Sequence, residues 1–119
     1  MYPIRTIQKK DGAIMIKHVV MWKLKESANG CSKHENAKKI KALLEALPAK
    51  IEQIKYLKVG IDTNISADNR TSAEFDACLI TMFDNMEDLD IYQNNPDHKQ
   101  VSAFVAEVRK SRAVVDFEV

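Results

Sequence analysis

Apolar and polar residues alternate along four segments of the chain, and this period of two is typical of β-strands. The segments are residues 16–25, 54–62, 74–83 and 113–119. One face of the first segment carries Ile16, His18, Val20, Trp22 and Leu24. The opposite faces of the first and third segments are also apolar, at Val19, Met21, Cys78, Ile80 and Met82. These two strands are therefore predicted to be buried on both sides at their centres.

Apolar residues three and four positions apart indicate a helix after the first strand. Ser32 and Glu35 match a capping box at its start. Pro48 helps to end the helix, because proline disfavours the helical conformation of the residue before it. The predicted buried stripe is Ala37, Ile40, Leu43, Leu44 and Leu47.

Two more helices are predicted between the third and fourth strands. The short one has Asp84 as its N-cap and ends near Tyr92. The longer one begins at Pro96 and reaches about residue 110. Asn95 suits its N-cap, because the side-chain oxygen can accept from free amides of the first turn. Proline suits the next position, where an amide would have no partner.

The resulting order, β-α-β-β-α-β, is that of the split βαβ, or ferredoxin-like, α+β fold. It predicts a four-stranded antiparallel sheet with both helical segments on one face. The helices can cover only that face, and the apolar patch on the other is too large for a monomer. Because closed two-fold dimers are the commonest soluble oligomers, a homodimer is predicted. Its interface would contain Val19, Met21, Cys78, Ile80 and Met82.

Length and composition narrow the classes of function. The 119 residues fit one domain, residues 15–119, after an N-terminal extension of residues 1–14 with little periodicity. A net charge of +1, with acidic residues interleaved among the lysines, argues against nucleic acid as a partner. No apolar run suits a membrane span or a secretory signal, so no membrane partner is expected and a cytoplasmic location is the default. Cys31 and Cys78 lack metal-ligand spacing and are expected to be reduced thiols.

Tyr92 and His98 are the candidate catalytic residues. Val101, Val105 and His98 share one helical face, which should direct the imidazole inward, near the phenol of Tyr92. His98 is interpreted either as a general acid/base or as a partly buried histidine at a helix start. Tyr92 is interpreted either as a hydrogen-bond donor to a substrate oxygen or as a packed aromatic with its hydroxyl in water.

A pocket is predicted between the helices and the sheet. Its expected lining is His18, Val20, Trp22, Ala77 and Leu79. His18 is either a core histidine bonded to a carbonyl or carboxylate, or a wall of that pocket. Metal binding by His18 and His98 would need a third ligand, which is not evident, so no metal or cofactor is expected. Asp116 is expected to pair with Arg112 or a lysine.

From residue 15 onward, the chain resembles the Dabb family of stress-responsive dimeric α/β-barrel domains. The resemblance rests on four motifs in matching order: MIKHVVMWKL at 15–24, LKVG at 57–60, YQNNPDH at 92–98 and SRAVVD at 111–116. It implies a ferredoxin-like protomer and a dimer whose two sheets face each other as a barrel. Many family members have no assigned reaction, some plant members are stress-associated, and one is a polyketide cyclase acting by aldol condensation.

The resemblance also implies roles for individual residues. Tyr92 and His98 fall where that cyclase has its catalytic tyrosine and histidine, and His18 falls on a histidine of the first strand. Asn95 stands where the family often has histidine, and Ala77 stands where the cyclase has a pocket histidine. These two differences argue against transferring the cyclase reaction itself.

Two functions fit the sequence. In the first, a small apolar pocket in each protomer binds a small carbonyl-containing or aromatic metabolite, or transforms it by cofactor-independent proton transfer. His98 would be the base, Tyr92 the hydrogen-bond donor and His18 a pocket wall or a support for them. In the second, the protein is a non-catalytic, stress-associated dimeric scaffold.

Overall fold

The computed structural model describes residues 14–63, 65 and 74–119. All but the last residue of the predicted N-terminal extension therefore lies outside the described residues. The strands are β1 (Ile16–Leu24), β2 (Ser27–Ala28), β3 (Cys31–Ser32), β4 (Tyr56–Ile61), β5 (Ala77–Phe83) and β6 (Arg109–Glu118). The helices are α1 (Lys33–Glu45), α2 (Met86–Asn94) and α3 (Pro96–Val108), and a 3-10 turn spans Leu47–Ala49.

The four long strands form one antiparallel sheet in the order β4-β5-β1-β6. The helices pack on one face of this sheet, which confirms the predicted ferredoxin-like α+β fold. Strand β6 begins at Arg109, directly after α3 and four residues earlier than predicted. The chain thus passes from α3 into the edge strand of the sheet within one residue. This junction lies beside the cavity described below.

The predicted helix starts agree with the structure for α1 and α3. Ser32 and Glu35 exchange the two hydrogen bonds of a capping box, and the side chain of Asn95 caps α3. The cap of α2 is Asn85 rather than Asp84, because the Asn85 side chain accepts from a backbone amide of the first turn. Helix α2 also extends two residues beyond Tyr92.

Leu43 does not belong to the buried stripe of α1, because it is 41% exposed. At about 100° per residue, it lies roughly 60° around the helix from the fully buried Ile40, at the edge of the face that meets the sheet. Leu47 is buried as predicted, although it belongs to the 3-10 turn rather than to α1.

A short hairpin, β2-β3, was missed because its strands are only two residues long. Asn29 and Gly30 form its turn with φ of 53° and 75°. Positive φ at both central residues is what a tight turn between right-twisted strands requires, and Asn-Gly is the preferred pair.

The face of the sheet away from the helices is only partly covered. Val19, Met21, Cys78 and Ile80 keep some exposed surface, as predicted. The prediction that Met82 is uncovered was wrong, since it is 2% exposed and lies between Lys17 and Tyr56 of the flanking strands. Two other side chains of this face on β6, Val115 and Phe117, are 52% and 42% exposed.

Candidate functional site

A histidine and a carboxylate meet across strands β1 and β6. His18 and Asp116 are register partners, and Nδ1 of His18 lies 2.5 Å from Oδ1 of Asp116. Asp116 therefore pairs with His18, and the prediction that it pairs with Arg112 or a lysine was wrong. The carboxylate partner foreseen for His18 is present. Because a carboxylate only accepts, Nδ1 carries the proton and Nε2 remains available on the other side of the ring.

Four aromatic rings form a cluster between the sheet and helices α2 and α3. The rings of Tyr92 and His98 have centroids 4.3 Å apart, and those of His18 and Tyr92 are 6.2 Å apart. Phe83 contacts the other side of Tyr92, with centroids 5.0 Å apart. The turn between α2 and α3, fixed by the Asn95 cap, sets the first of these distances. The structure thus brings together the two residues singled out in the sequence.

Two buried polar atoms of this cluster have no hydrogen-bond partner among the described residues. They are the hydroxyl of Tyr92, whose side chain is fully buried, and Nδ1 of His98. Within the described part of the chain, Asn36 Oδ1 is the one other buried side-chain atom in this state. An unsatisfied buried group costs about 1–3 kcal/mol. Both groups belong to rings whose centroids are 4.3 Å apart, so a molecule that bonded to both would remove this cost.

Burial moves the pKa values of Tyr92 and His98 in opposite directions. It raises the pKa of Tyr92 well above its usual value, and the nearby Arg112 guanidinium only partly opposes this. It lowers the pKa of His98 from 6.5, an effect that His18 and Arg112 reinforce and the backbone of Gln93 opposes. At neutral pH the phenol therefore keeps its proton while the imidazole is uncharged.

A cavity of about 210 Å³ lies next to the ring cluster. His18, Val20, Trp22 and Leu79 line it, four of the five residues predicted for the pocket. Ala77 does not, because it pairs with Trp22 across β1 and β5, and the indole is the member of that pair that reaches the cavity. His98 lines the cavity directly, whereas Tyr92 lies behind it in the cluster.

The outer part of the cavity was not foreseen from the sequence. It is formed by Gln93, Ser102, Ala106, Arg109 and Arg112. The helical spacing of His98, Val101, Ser102 and Val105 could have indicated the α3 residues, because positions three, four and seven apart share a face. The two arginines gave no such signal, because their orientation depends on the pairing of β6 with β1.

The described residues contain no group of three or more His, Cys, Asp or Glu side chains arranged to hold a metal ion. Among the same residues, no helix has the length and apolar character needed to cross a membrane.

Comparison with known proteins places this chain among ferredoxin-like structures. A dimeric protein of unknown function from Bacteroides fragilis shares 31% identity, with a TM-score of 0.73 over 88% of this chain and 96% of that chain. A dimeric protein of unknown function from Thermobifida fusca shares 21%, with a TM-score of 0.71 over 95% and 100%. A hydroxynitrile lyase from Passiflora edulis shares 16%, with a TM-score of 0.71 over 90% and 94%. No match was found among curated proteins.

The family comparison covers nearly all of the described chain. The model of the stress-responsive A/B barrel domain, Dabb, matches residues 16–119. This range includes the sheet, the three helices and every residue of the cavity. The chain therefore belongs to the Dabb family of stress-responsive A/B barrel domains.

Proposed function

We propose that this protein is a homodimer in which each cavity binds a small carbonyl-containing or aromatic molecule and moves a proton on it without a cofactor. The observation that carries the proposal is that two neighbouring rings each hold a buried polar atom, the Tyr92 hydroxyl and His98 Nδ1, without a partner among the described residues. Structural polar groups in protein interiors are nearly all hydrogen-bonded. A ligand oxygen and an acidic C–H group would give both atoms a task.

The protonation states of the two residues suit this chemistry. His98, with its lowered pKa, is uncharged at neutral pH and able to accept a proton. Tyr92, with its raised pKa, keeps its proton and can donate to an oxygen that gains charge. Opposite shifts in neighbouring groups are a common way to divide the roles of base and donor.

The proposed step is reversible enolisation. Nδ1 of His98 takes a proton from the carbon next to a carbonyl group, so that a C–H bond breaks and an N–H bond forms. The electron pair moves onto the carbonyl oxygen, which has to reach past the cavity wall to accept a hydrogen bond from Tyr92, because Tyr92 does not line the cavity. Return of the proton restores the ketone. His18, oriented by Asp116, lines the same cavity.

The name of one structural neighbour supports an enzymatic function. A protein of the same fold is named as a hydroxynitrile lyase, so this architecture accommodates an active site. That relative is only 16% identical, and its own reaction is not proposed for this chain.

The homodimer is supported by the uncovered face of the sheet. Val115 and Phe117 expose about half of their side chains there, next to the partly buried Val19 and Ile80. The Bacteroides fragilis relative, at 31% identity, is described as dimeric. A second copy of this face would remove both sets of apolar side chains from water, at about 25 cal/mol for each Å² buried.

The test is deuterium incorporation at the benzylic carbon of phenylacetone in D₂O, followed by proton NMR. Wild-type protein should accelerate exchange above the buffer rate, and His98→Gln should return it to that rate. Tyr92→Phe should slow it by 10²- to 10³-fold, the range for losing one oxyanion donor. His34→Gln, on α1 and outside the cavity, is the matched control and should keep the wild-type rate.

The alternative is the non-catalytic dimeric scaffold. Wild-type protein that neither accelerates the exchange nor shifts its melting temperature with phenylacetone would favour the scaffold and contradict the proposal. Equal activity of wild-type protein and His98→Gln would also contradict the role given to His98.

A further inference from the structure

Strand β6 contains an irregularity beside the cavity. Ser111 pairs with Lys23 of β1 and Arg109 pairs with Leu24, so Lys110 is an extra residue without a partner on β1. Such a bulge shifts the alternation of side chains by one position. In a regular strand, residues 109 and 112 would point to opposite faces. Here Arg109 and Arg112 are paired with Leu24 and Trp22, two residues of the same buried face.

The bulge consequently brings two guanidinium groups to one cavity. Both Arg109 and Arg112 line it, at the outer part where side chains are partly or largely exposed. The inner part is formed by Val20, Leu79 and other buried apolar side chains together with His18. No Asp or Glu lines this cavity in the described part of the chain. The cavity therefore has an apolar inner end and a cationic mouth.

Neither arginine is engaged elsewhere in the described structure. The ion pairs within 4.0 Å among the described residues use Lys33, Lys41, Lys55, Lys58 and His18 as their cationic partners. The charge of Arg112 nevertheless acts on Tyr92 and His98. It lowers the pKa of both groups, although burial has the larger effect on each. Two like charges that share a cavity mouth repel each other, and an anion between them would reverse that cost.

We propose that the molecule bound in this cavity is a small monocarboxylate, with Arg112 and Arg109 holding its carboxylate at the mouth and its carbonyl or aromatic part reaching His98. The inference rests on the proposed function and adds the class of substrate. A carboxylate fits the planar fork of a guanidinium, which donates two parallel hydrogen bonds. The cavity volume of about 210 Å³ suits a small organic acid.

A matched pair of probes tests the proposal. Phenylpyruvate and phenylacetone share a benzyl group and a ketone, and they differ by a carboxylate in place of a methyl group. Both carry benzylic hydrogens whose exchange for deuterium is followed by NMR. For wild-type protein, the KM of exchange should be about tenfold lower for phenylpyruvate, the effect of one hydrogen-bonded ion contact. The advantage should shrink as salt rises, because the arginines are partly exposed.

Three variants decide whether the arginines are responsible. Arg112→Gln should reduce the KM advantage of the carboxylate from about tenfold to about twofold, and Arg109→Gln should reduce it by a smaller factor. Lys110→Gln removes the same charge from the bulged residue between them, which does not line the cavity. It should keep the full advantage. Circular dichroism and melting temperature of each variant establish that it is folded.

The outcomes separate this proposal from the proposed function. Exchange of both probes with equal KM, unaffected by Arg112→Gln, would overturn the carboxylate assignment and leave proton transfer in place. An equal loss in Lys110→Gln and Arg112→Gln would overturn the site and indicate a general charge effect. Exchange of neither probe would overturn both proposals.

Discussion

The two faces of the sheet differ in how far a single chain completes them. On strand β1, the side chains toward the helices are all buried, whereas Lys17, Val19, Met21 and Lys23 on the other face keep exposed surface. On β6, the face away from the helices exposes Val115 and Phe117. On β1 and β5 the side chains of the first face, the helix-covered face, are buried by the chain's own helices. The second, the open face, is apolar and only partly covered, which is the condition that favours a partner sheet.

The polar groups of the helix-covered face fall into two sets, those with hydrogen-bond partners and those without partners among the described residues. His18 is bonded to Asp116, and Thr81 donates to the backbone carbonyl of His18 at 3.2 Å. These groups are satisfied, as buried polar groups in a stable core are. On the same side, the hydroxyl of Tyr92 and Nδ1 of His98 have no partner among the described residues. The contrast separates polar residues that hold the structure from those available to a ligand.

The largest expected effect is that of a charge placed on the open face, which should weaken the dimer. Val115→Glu would place a carboxylate from each copy at a two-fold interface without partners. We expect the dissociation constant of the dimer to rise by at least about 100-fold, which sedimentation equilibrium measures. Val114→Glu is the matched control, because Val114 is 43% exposed on the same strand but pairs with Val20 on the opposite face. An unchanged dimer in the Val115 variant would show that the partner sheet binds elsewhere.

A smaller effect, on the free energy of unfolding, is expected from breaking the ion pair between His18 and Asp116 on the helix side of the sheet. Asp116→Ala leaves the buried Nδ1–H of His18 without an acceptor, at a cost of about 1–2 kcal/mol, because water can reach the partly exposed carboxylate position. Urea unfolding at fixed protein concentration measures this loss. Asp116→Asn keeps an acceptor oxygen and should cost less. If both variants unfold like wild-type protein, the pair does not stabilise the fold.

His98 should make stability depend on pH. Its pKa in the folded protein is below the 6.5 of the unfolded chain, because burial disfavours the charged ring. In the interval below 6.5 the unfolded chain binds more protons, so the contribution of His98 is fully present above pH 6.5 and is lost as pH falls through the folded pKa. Urea midpoints at pH 7.5 and 5.5 should differ less for His98→Gln than for wild-type protein. The same pH dependence in both would contradict the burial of a neutral imidazole.

The smallest effect concerns the two thiols, both of which are free. Burial raises the pKa of Cys78, on the open face, so only a small fraction of this thiol is in the reactive thiolate form. Iodoacetamide should label Cys31, in the β2-β3 hairpin, several-fold faster than Cys78, as measured by peptide mass spectrometry. Val115→Glu should raise the Cys78 rate toward that of Cys31. A Cys78 rate that does not change with dimerisation would mean that the partner sheet leaves this position open.

The sequence was sufficient for what depends on local periodicity. Alternation gave the four long strands, the helical spacing gave the helices, and the Asn95-Pro96 pair gave the start of α3. Because His98 lies two residues inside that start, its closeness to Tyr92 could also be foreseen.

The remaining features depend on register, which one strand cannot reveal. The partner of His18 is known only when β6 is aligned with β1, and the expected partner of Asp116 was wrong for this reason. The bulge at Lys110 also exists only as a mismatch between two strands. Without it, Arg109 and Arg112 could not be assigned to one face. The cavity mouth was therefore missed, while its floor was largely predicted.

The central claim is that proton transfer takes place on the helix-covered face of the sheet and that the second copy of the chain binds to the open face. It is tested most directly by measuring oligomeric state and phenylacetone exchange on the same samples of Val115→Glu and His98→Gln. The account predicts that Val115→Glu is monomeric and exchanges within about twofold of the wild-type rate, whereas His98→Gln is dimeric and inactive. Joint loss of dimer and exchange in either variant would contradict it.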